Sequence, residues 1–413
     1  MVSSSSKEKN NRMFVVDALR GFAIVSIMLL HNIQHFGISF LPENFPEWLM
    51  KLDEIVLKGA FFIFGGKSYA IFALLFGLTF FIQFDNQLKK GKDFKLIFAW
   101  RLVLLFIFGI INSSFYEGDI LTIYAFIGLF LIPVAQLNNK VILCIALFFF
   151  IQPIEIISLI KAIQNPNRII GNSETLVNLG EIIDHLKGES LINTIKENLT
   201  NGKIGIIKWN YNNGRFLHIL SLFMFGVLLG RKKLFSQSLG NNRFWLNVLI
   251  ISITVFVPIY IYQINIYNIF ISKSIGHSIE VIIRSWTNVL FMLVLVSGFV
   301  LLFHKKRWNK ILSILSPIGK MSLSNYIFQS IVGSMLYYGF GLELYKYTGA
   351  TYSLLISILL SIFMGYFSFW WMKNHKRGPL ETIWHNVTWM FSKSKKTKGK
   401  YRFAYKNTTV NNS

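Results

Sequence analysis

Phe14–Ser39 reads FVVDALRGFAIVSIMLLHNIQHFGIS. The run is long enough to cross a bilayer core, which needs about 20 mostly apolar residues per helix. Its apolar residues do not alternate, so it is not a strand of a membrane barrel. Comparable runs follow at 67–84, 97–114, 120–136, 141–160, 216–230, 246–262, 282–303, 323–340 and 353–372. The 216–230 run is short and is expected to begin earlier, near Trp209. The stretch 55–84 is too long for one straight span, and Gly65-Gly66 predicts a break into an interfacial helix followed by the true span. Composition agrees: the 413 residues are 53% hydrophobic and 15% charged, with 40 Phe. Soluble domains carry about a quarter charged residues and could not hide this much apolar surface. The expected fold is all-α, a polytopic helical membrane protein with about ten spans.

The chain has 42 Lys and Arg against 19 Asp and Glu. In a soluble protein that excess would suggest nucleic acid, but here it reports topology. Placing both termini in the cytoplasm puts most basic residues on the inside, as the positive-inside rule requires. The excess then attracts anionic lipid, and no nucleic-acid partner is expected. Residues 1–12 and 393–413 read as polar tails flanking one membrane domain, 13–392. The loop 161–213, with Leu176, Leu179, Ile183 and Leu186 at helical spacing, reads as an outer cap. Within it Asn198-Leu199-Thr200 fits a glycosylation sequon, a triplet common by chance. Pro379–Phe391, with Trp384 and Trp389, reads as an interfacial helix on the inside. The first run is long, lacks a cleavage pattern and precedes nine more, so it reads as a helix and not a signal peptide. The single cysteine, Cys144, excludes a disulfide framework and reads as a core thiol.

Ionisable groups at membrane depth are costly, so each is a candidate for function. Arg20 and His31 are eleven residues apart, close to three turns, and share a helix face. Asp17 and Arg20, three apart, are spaced to pair. Snorkelling to the two headgroup layers would explain Arg20 and His31 equally well. Gly65-Gly66-Lys67-Ser68 resembles the end of a P-loop, but Phe61 stands where that motif needs Gly. Lys67 is better placed at the outer mouth of the second span, level with His31. Tyr116-Glu117-Gly118-Asp119 opens the fourth run on the same side, where Asp119 would suit a helix N-terminus or simply cap it. Ser322, Asn325 and Gln329 form a polar stripe, readable as a substrate contact or as interhelical bonding. His31 and His35 have metal-ligand spacing but no accompanying carboxylate motif, so no metal is expected.

Several segments together resemble a known family: Asp17-Ala18-Leu19-Arg20-Gly21-Phe22-Ala23-Ile24; Gly66-Lys67 with Phe72-Ala73-Leu74-Leu75-Phe76-Gly77; Gly118-Asp119-Ile120-Leu121 with Tyr124; Phe225-Gly226-Val227-Leu228-Leu229-Gly230-Arg231; Gly319-Lys320-Met321-Ser322-Leu323-Ser324-Asn325-Tyr326 with Gln329-Ser330; and Gly378-Pro379-Leu380-Glu381 with Trp384. In that order they resemble the YeiB-like bacterial membrane proteins, the domain-of-unknown-function family numbered 418, over about residues 12–392. That family is grouped with transmembrane acyltransferases, including the lysosomal heparan glucosaminide acetyltransferase and, more distantly, enzymes that O-acetylate surface polysaccharides. The resemblance implies a multi-pass protein of the bacterial cytoplasmic membrane. It implies transfer of an acyl group from cytoplasmic acyl-CoA to an extracytoplasmic glycan or lipid. The acetylating enzymes carry Arg-Gly in the first helix and His eleven residues after the Arg, matched here by Arg20-Gly21 and His31. Many YeiB-like proteins carry Asn there, and here Asn32 follows.

The expected roles follow from these readings. His31 is a general base or transient acyl carrier, Asp119 its orienting group, and Lys67 an oxyanion donor. Arg20, Arg101, Arg231 and Lys320 are expected at the phosphates of acyl-CoA, the expected co-substrate, with no permanently bound cofactor. His35, Glu117, Asn325 and Gln329 are expected at the acceptor, and a homo-oligomer is compatible with the sequence. Two rival classes stay open: a transporter or flippase of an envelope substrate, and a non-enzymatic scaffold. A narrow tunnel from the arginines to His31 would favour the enzyme, and a broad midplane site the transporter.

Overall fold

The computed structural model describes residues 3–38, 42, 45–166, 184–270 and 272–390, with side chains from Phe14 onward. Among them there is no strand. Nineteen α-helices follow in order: α1 (Ser3–Ile33), α2 (Glu47–Phe64), α3 (Ser68–Lys89), α4 (Lys95–Phe115), α5 (Leu121–Gly128), α6 (Leu131–Val134), α7 (Asn139–Phe150), α8 (Pro153–Gln164), α9 (Leu191–Glu197), α10 (Lys203–Asn212), α11 (Arg215–Arg231), α12 (Leu239–Ile264), α13 (Ile266–Ile269), α14 (Lys273–Phe303), α15 (Lys306–Leu312), α16 (Leu315–Lys320), α17 (Ser322–Tyr337), α18 (Ala350–Asn374) and α19 (Pro379–Met390).

Seven helical stretches are long and apolar enough to cross a membrane, or eight if the bent pair Leu191–Asn212 and Arg215–Arg231 counts as one span. All ten apolar runs fall on helices. The two outside those eight are short: 120–136 divides into α5 and α6, and 323–340 lies mostly on the 16-residue α17. The protein is a multi-pass helical membrane protein. The α1 helix also extends back through residues read as a tail, whereas 393–413 and most of the cap periodicity lie outside the described residues. Leu186, the described end of that pattern, is buried with Phe36, Ile38, Tyr337 and Tyr338. The segment expected to be helical near the C-terminus, Pro379–Phe391, forms α19 over Pro379–Met390.

The core is built where helices approach to backbone contact. A Cβ on Gly77 would fall on the Phe223 carbonyl and one on Gly226 on the Leu74 carbonyl, so α3 and α11 touch along their small residues. Gly21 and Gly319 do the same for α1 and α16, against the carbonyls of Leu315 and Asp17. Without a hydrophobic drive between helices in lipid, such close packing is what holds a bundle together. Cys144 is not in this core: it is exposed on α7, on an apolar face turned outward. The sequon asparagine is also not presented to the outside, because Asn198 is fully buried and its amide donates to the Ser114 carbonyl at 3.2 Å.

Two breaks shape the interior. Between α2 and α3, Gly66 takes φ +75°, and a Cβ there would strike the Asn288 amide. Between α10 and α11, Gly214 takes φ +62° with its missing Cβ against Gln152, and the chain bends by 72°. Only glycine enters this left-handed region without strain. In both places the residue after the glycine is a cation, Lys67 and Arg215.

Candidate functional site

Two cavities of similar size lie at opposite ends of the bundle. The first, about 720 Å³, lies at the basic end and is lined by Arg20, Lys90, Arg101, Lys320, Arg377 and the rings of Trp384 and Trp389, among others. The second, about 750 Å³, is lined at the far end by His31, Lys67, Asp119, Trp209, Arg215 and Arg284, among others. Tyr326 lines both. Its oxygen accepts the Ile120 N–H at 3.4 Å, and the neighbouring Tyr124 hydroxyl donates to the Tyr69 carbonyl at 2.7 Å. Tyr124 faces the basic-end cavity and Tyr69 the far one. The wall between the cavities is therefore a layer of tyrosines about one side chain thick.

The α1 face predicted to join Arg20 and His31 does so, one residue in each cavity. Arg20 pairs with Asp17 at 3.1 Å as the spacing predicts, and also donates to Thr79 Oγ1 at 2.9 Å and the Gly319 carbonyl at 3.5 Å. A bonded guanidinium inside the bundle is not a snorkelling one. Arg101 lies over the Trp384 ring at 4.2 Å and reaches Thr388 Oγ1 at 3.4 Å. Lys320 lies over Phe14 at 4.8 Å. Beneath them Glu381 caps the start of α17, accepting the Leu323 and Ser324 N–H groups at 2.7 and 3.1 Å and the Ser324 hydroxyl at 2.6 Å. Arg231 is elsewhere. Its guanidinium donates to the carbonyls of Leu137 and Ala135 at 2.7 and 2.8 Å and to Asn139 Oδ1 at 3.0 Å. It ties the end of α11 to the α6–α7 turn and does not line the cavity, which corrects its expected place at acyl-CoA.

At the far end His31 packs its ring against Tyr116 and Phe36, centroids 4.6 and 5.5 Å apart, and its Nδ1 is buried with no hydrogen-bond partner among the described residues. Asp119 is fully buried, but its carboxylate is committed elsewhere. It accepts from Asn112 Nδ2 at 3.1 Å and the Thr122 N–H at 3.0 Å, and meets Lys203 Nζ at 3.5 Å. The helix-capping role is thus realised, whereas the expected hold on His31 is not among its hydrogen bonds. Burial pushes the Asp119 carboxyl up from its ordinary value, and Lys203 pulls it back. Lys67 lies between the rings of Phe62 and Phe291, 6.0 and 5.7 Å from their centroids.

Four expected acceptor residues do not line either cavity. His35 is locked in the core by Ser353 Oγ at 2.9 Å and Thr348 Oγ1 at 3.3 Å, and burial holds its imidazole down at about 4, hence neutral. Glu117 packs against Gly37 and Gly202, and burial pushes its carboxyl up to about 7. Asn325 clasps α18 through Ser368 Oγ at 3.0 Å and donates to the Ile318 carbonyl at 3.1 Å. The interhelical reading of the stripe therefore holds at that position. Gln329 is buried with neither amide atom partnered among the described residues. No cluster of three or more His, Cys, Asp or Glu side chains able to hold a metal occurs among the described residues.

Sequence reasoning passed over Tyr326, Tyr69, Tyr124, Lys203, Arg215 and Arg284. Tyr326 and Tyr124 sat inside quoted motifs. Arg215 follows a glycine at the head of an apolar run, the same signal that singled out Lys67.

Two opposed cavities inside a glycine-packed helical bundle define a class of multi-pass membrane protein with an interior site. Residues 229–391 match the family model described as "Protein of unknown function (DUF418)", the family that the motifs quoted above resemble. It is 27% identical over 404 residues to "Uncharacterized protein YxaH" of Bacillus subtilis (strain 168), covering 92% of this chain and 95% of that protein. It is 26% identical over 383 residues to "Uncharacterized 39.9 kDa protein in amylase 3'region" of Bacillus acidopullulyticus, covering 92% and 94%. No solved structure matches the chain.

Proposed function

We propose that the protein transfers an acyl group from a cytoplasmic acyl-CoA, held in the basic-end cavity, to an acceptor in the far cavity on the outer side of the bacterial cytoplasmic membrane. The observation that carries this reading is Tyr326, which borders both chambers. A donor and an acceptor bound on either side of it are separated by about one side chain. The basic-end cavity suits the donor: Arg101, Lys320, Arg377 and Lys90 match phosphates, and Trp384 and Trp389 offer stacking faces for an adenine. Arg20 contributes the donors that Asp17 and Thr79 leave over. From Arg20 to His31 is eleven residues, roughly 16 Å along the helix, a distance an extended pantetheine arm can cross.

In this scheme the acceptor hydroxyl oxygen attacks the thioester carbonyl carbon. His31 takes the hydroxyl proton, the Tyr326 hydroxyl donates to the carbonyl oxygen as charge develops, the new C–O bond forms and the C–S bond breaks. The imidazolium then returns its proton to the departing thiolate, giving free coenzyme A and the acylated acceptor. The Lys67 oxyanion role passes to Tyr326, which stands at the wall where the thioester would arrive.

The test is label transfer from acetyl-CoA, radiolabelled in the acetyl group, in inside-out vesicles carrying wild type, His31→Ala or Arg101→Gln. The expected result is an acylated envelope product with wild type, at least 100-fold less with His31→Ala by the usual scale of general-base loss, and a weakened donor requirement with Arg101→Gln. Equal transfer by His31→Ala refutes the base assignment; no acetyl-CoA binding by wild type refutes the enzyme. The second reading, a transporter, is favoured by the same thin wall and by the helices broken at Gly66 and Gly214. It predicts movement of an unmodified substrate with no label transferred.

A further inference from the structure

The far cavity is not neutral. Five charged side chains line it: Lys58, Lys67, Asp119, Arg215 and Arg284. Three of these have partners of opposite charge, Lys58 with Glu54, Asp119 with Lys203 at 3.5 Å, and Arg284 with Glu280. Lys67 and Arg215 have no carboxylate partner among the described residues, although Lys67 is only 9% exposed. Their surroundings are aromatic. The Arg215 guanidinium lies over Tyr69 at 4.6 Å and Trp209 at 4.0 Å, and Lys67 lies between two phenylalanines. Tyr69, beneath Arg215, lines the same cavity as Lys67. A cation withdrawn from water without a counter-charge is costly, so a chain that places two of them on one cavity is arranged for a negative group.

Backbone geometry adds to this. Lys67 immediately precedes the 22-residue α3 and Arg215 begins the 17-residue α11. Each start follows a glycine at positive φ, and at Gly214 the chain bends by 72°. Two side-chain cations match the charge of a phosphate monoester better than that of a single carboxylate. The planar guanidinium, held by Tyr69 and Trp209, presents its N–H fork as phosphate recognition requires.

We infer that the far cavity binds a phosphate-bearing molecule, with its phosphate held by Lys67 and Arg215 at the two glycine-broken helix starts. This rests on the acyl-transfer reading only in naming that molecule the acceptor; binding itself requires no chemistry. Glycerol phosphate units occur both in soluble or polymeric esters and in lipid headgroups, so the experiment has two arms. The full chain is placed in nanodiscs of neutral phosphatidylcholine and titrated calorimetrically with glycerol 1-phosphate, with glycerol as the uncharged comparison. Separately, retention of phosphatidylglycerol over phosphatidylcholine is measured by native mass spectrometry.

Wild type is expected to bind at least one anionic probe and not glycerol. Lys67→Gln or Arg215→Gln each weakens binding roughly tenfold, the scale of one charge-assisted hydrogen bond, and Lys232→Gln, an exposed lysine at the basic end, has no effect. Arg215→Lys, which keeps charge but loses the fork, separates charge from geometry and is expected to bind with intermediate strength. Binding in the ester arm alone assigns a soluble or polymeric source, and in the lipid arm alone a headgroup. The inference is overturned if neither probe binds above glycerol, or if the Lys67→Gln, Arg215→Gln double variant, folded by circular dichroism and gel filtration, binds as wild type does. Phosphate binding without acyl transfer would overturn the enzyme reading and leave this one standing. Transfer to a neutral acceptor without phosphate binding would do the reverse.

Discussion

Removing Arg20 tests whether the α1 charges build the fold as well as a binding surface. The guanidinium is 18% and the Asp17 carboxylate 10% exposed, with 3.1 Å between them. Breaking a buried pair by deleting one partner typically costs 3–5 kcal/mol, because the survivor is left uncompensated. Arg20→Met leaves Asp17 near Lys320, and the pair keeps some solvent contact, so about 3 kcal/mol is the expected loss. Asp17→Asn leaves the guanidinium its Thr79 and Gly319 acceptors and should cost less, about 1.5 kcal/mol, the lower end for a hydrogen bond to a charged group. In the double variant neither charge is stranded, so its loss should fall short of the sum by roughly 1.5–3 kcal/mol. Unfolding in mixed dodecylmaltoside and dodecyl sulfate micelles, followed by the fluorescence of the ten tryptophans, measures all three. If the two single losses add to within about 0.5 kcal/mol, the pair is not coupled and the reasoning fails.

The same unfolding assay reaches two further features. Glu117 has its carboxyl raised to about 7 by burial, so its protonated form is preferred in the folded state. Its contribution is full below the unfolded value near 4.5 and is lost as pH rises through 7, a swing of about 3 kcal/mol; Glu117→Gln should flatten that dependence, and an unchanged slope would show that another group causes it. Gly226→Ala would drive a methyl into the Leu74 carbonyl of α3 and is expected to cost about 1–3 kcal/mol. Gly298→Ala, in mid-helix with nothing within 4 Å, should stabilise by about 0.5–1 kcal/mol; equal effects at the two sites would refute the close-packing argument.

What could be read from the residues alone depended on local spacing. Arg20, His31 and Asp17 lie on one helix, where 3.6 residues per turn decides which side chains share a face, and their placement followed. Lys67 beside a double glycine was legible for the same reason. Cys144 was not, because hydropathy is alike for a side chain facing protein and one facing lipid. Arg231, His35 and Asn325 were taken for ligands because polarity in an apolar run signals an unmet need for partners. Only the fold reveals that carbonyls of a distant turn, Ser353 or Ser368 meet it. Tyr326 joins α17 to the start of α5, 206 residues away, and no pattern within either segment encodes that meeting.

The tyrosine partition has an electrical consequence. In the orientation proposed above, with electrolyte filling the two chambers from opposite sides, most of the membrane voltage would fall across the thin layer containing Tyr326, Tyr124 and Tyr69. An elementary charge carried through the full potential exchanges about 2.3 kcal/mol per 100 mV. A thiolate, phosphate or proton displaced by only a few ångströms at that layer would therefore feel a large share of the cell's resting field, with no helix having to move.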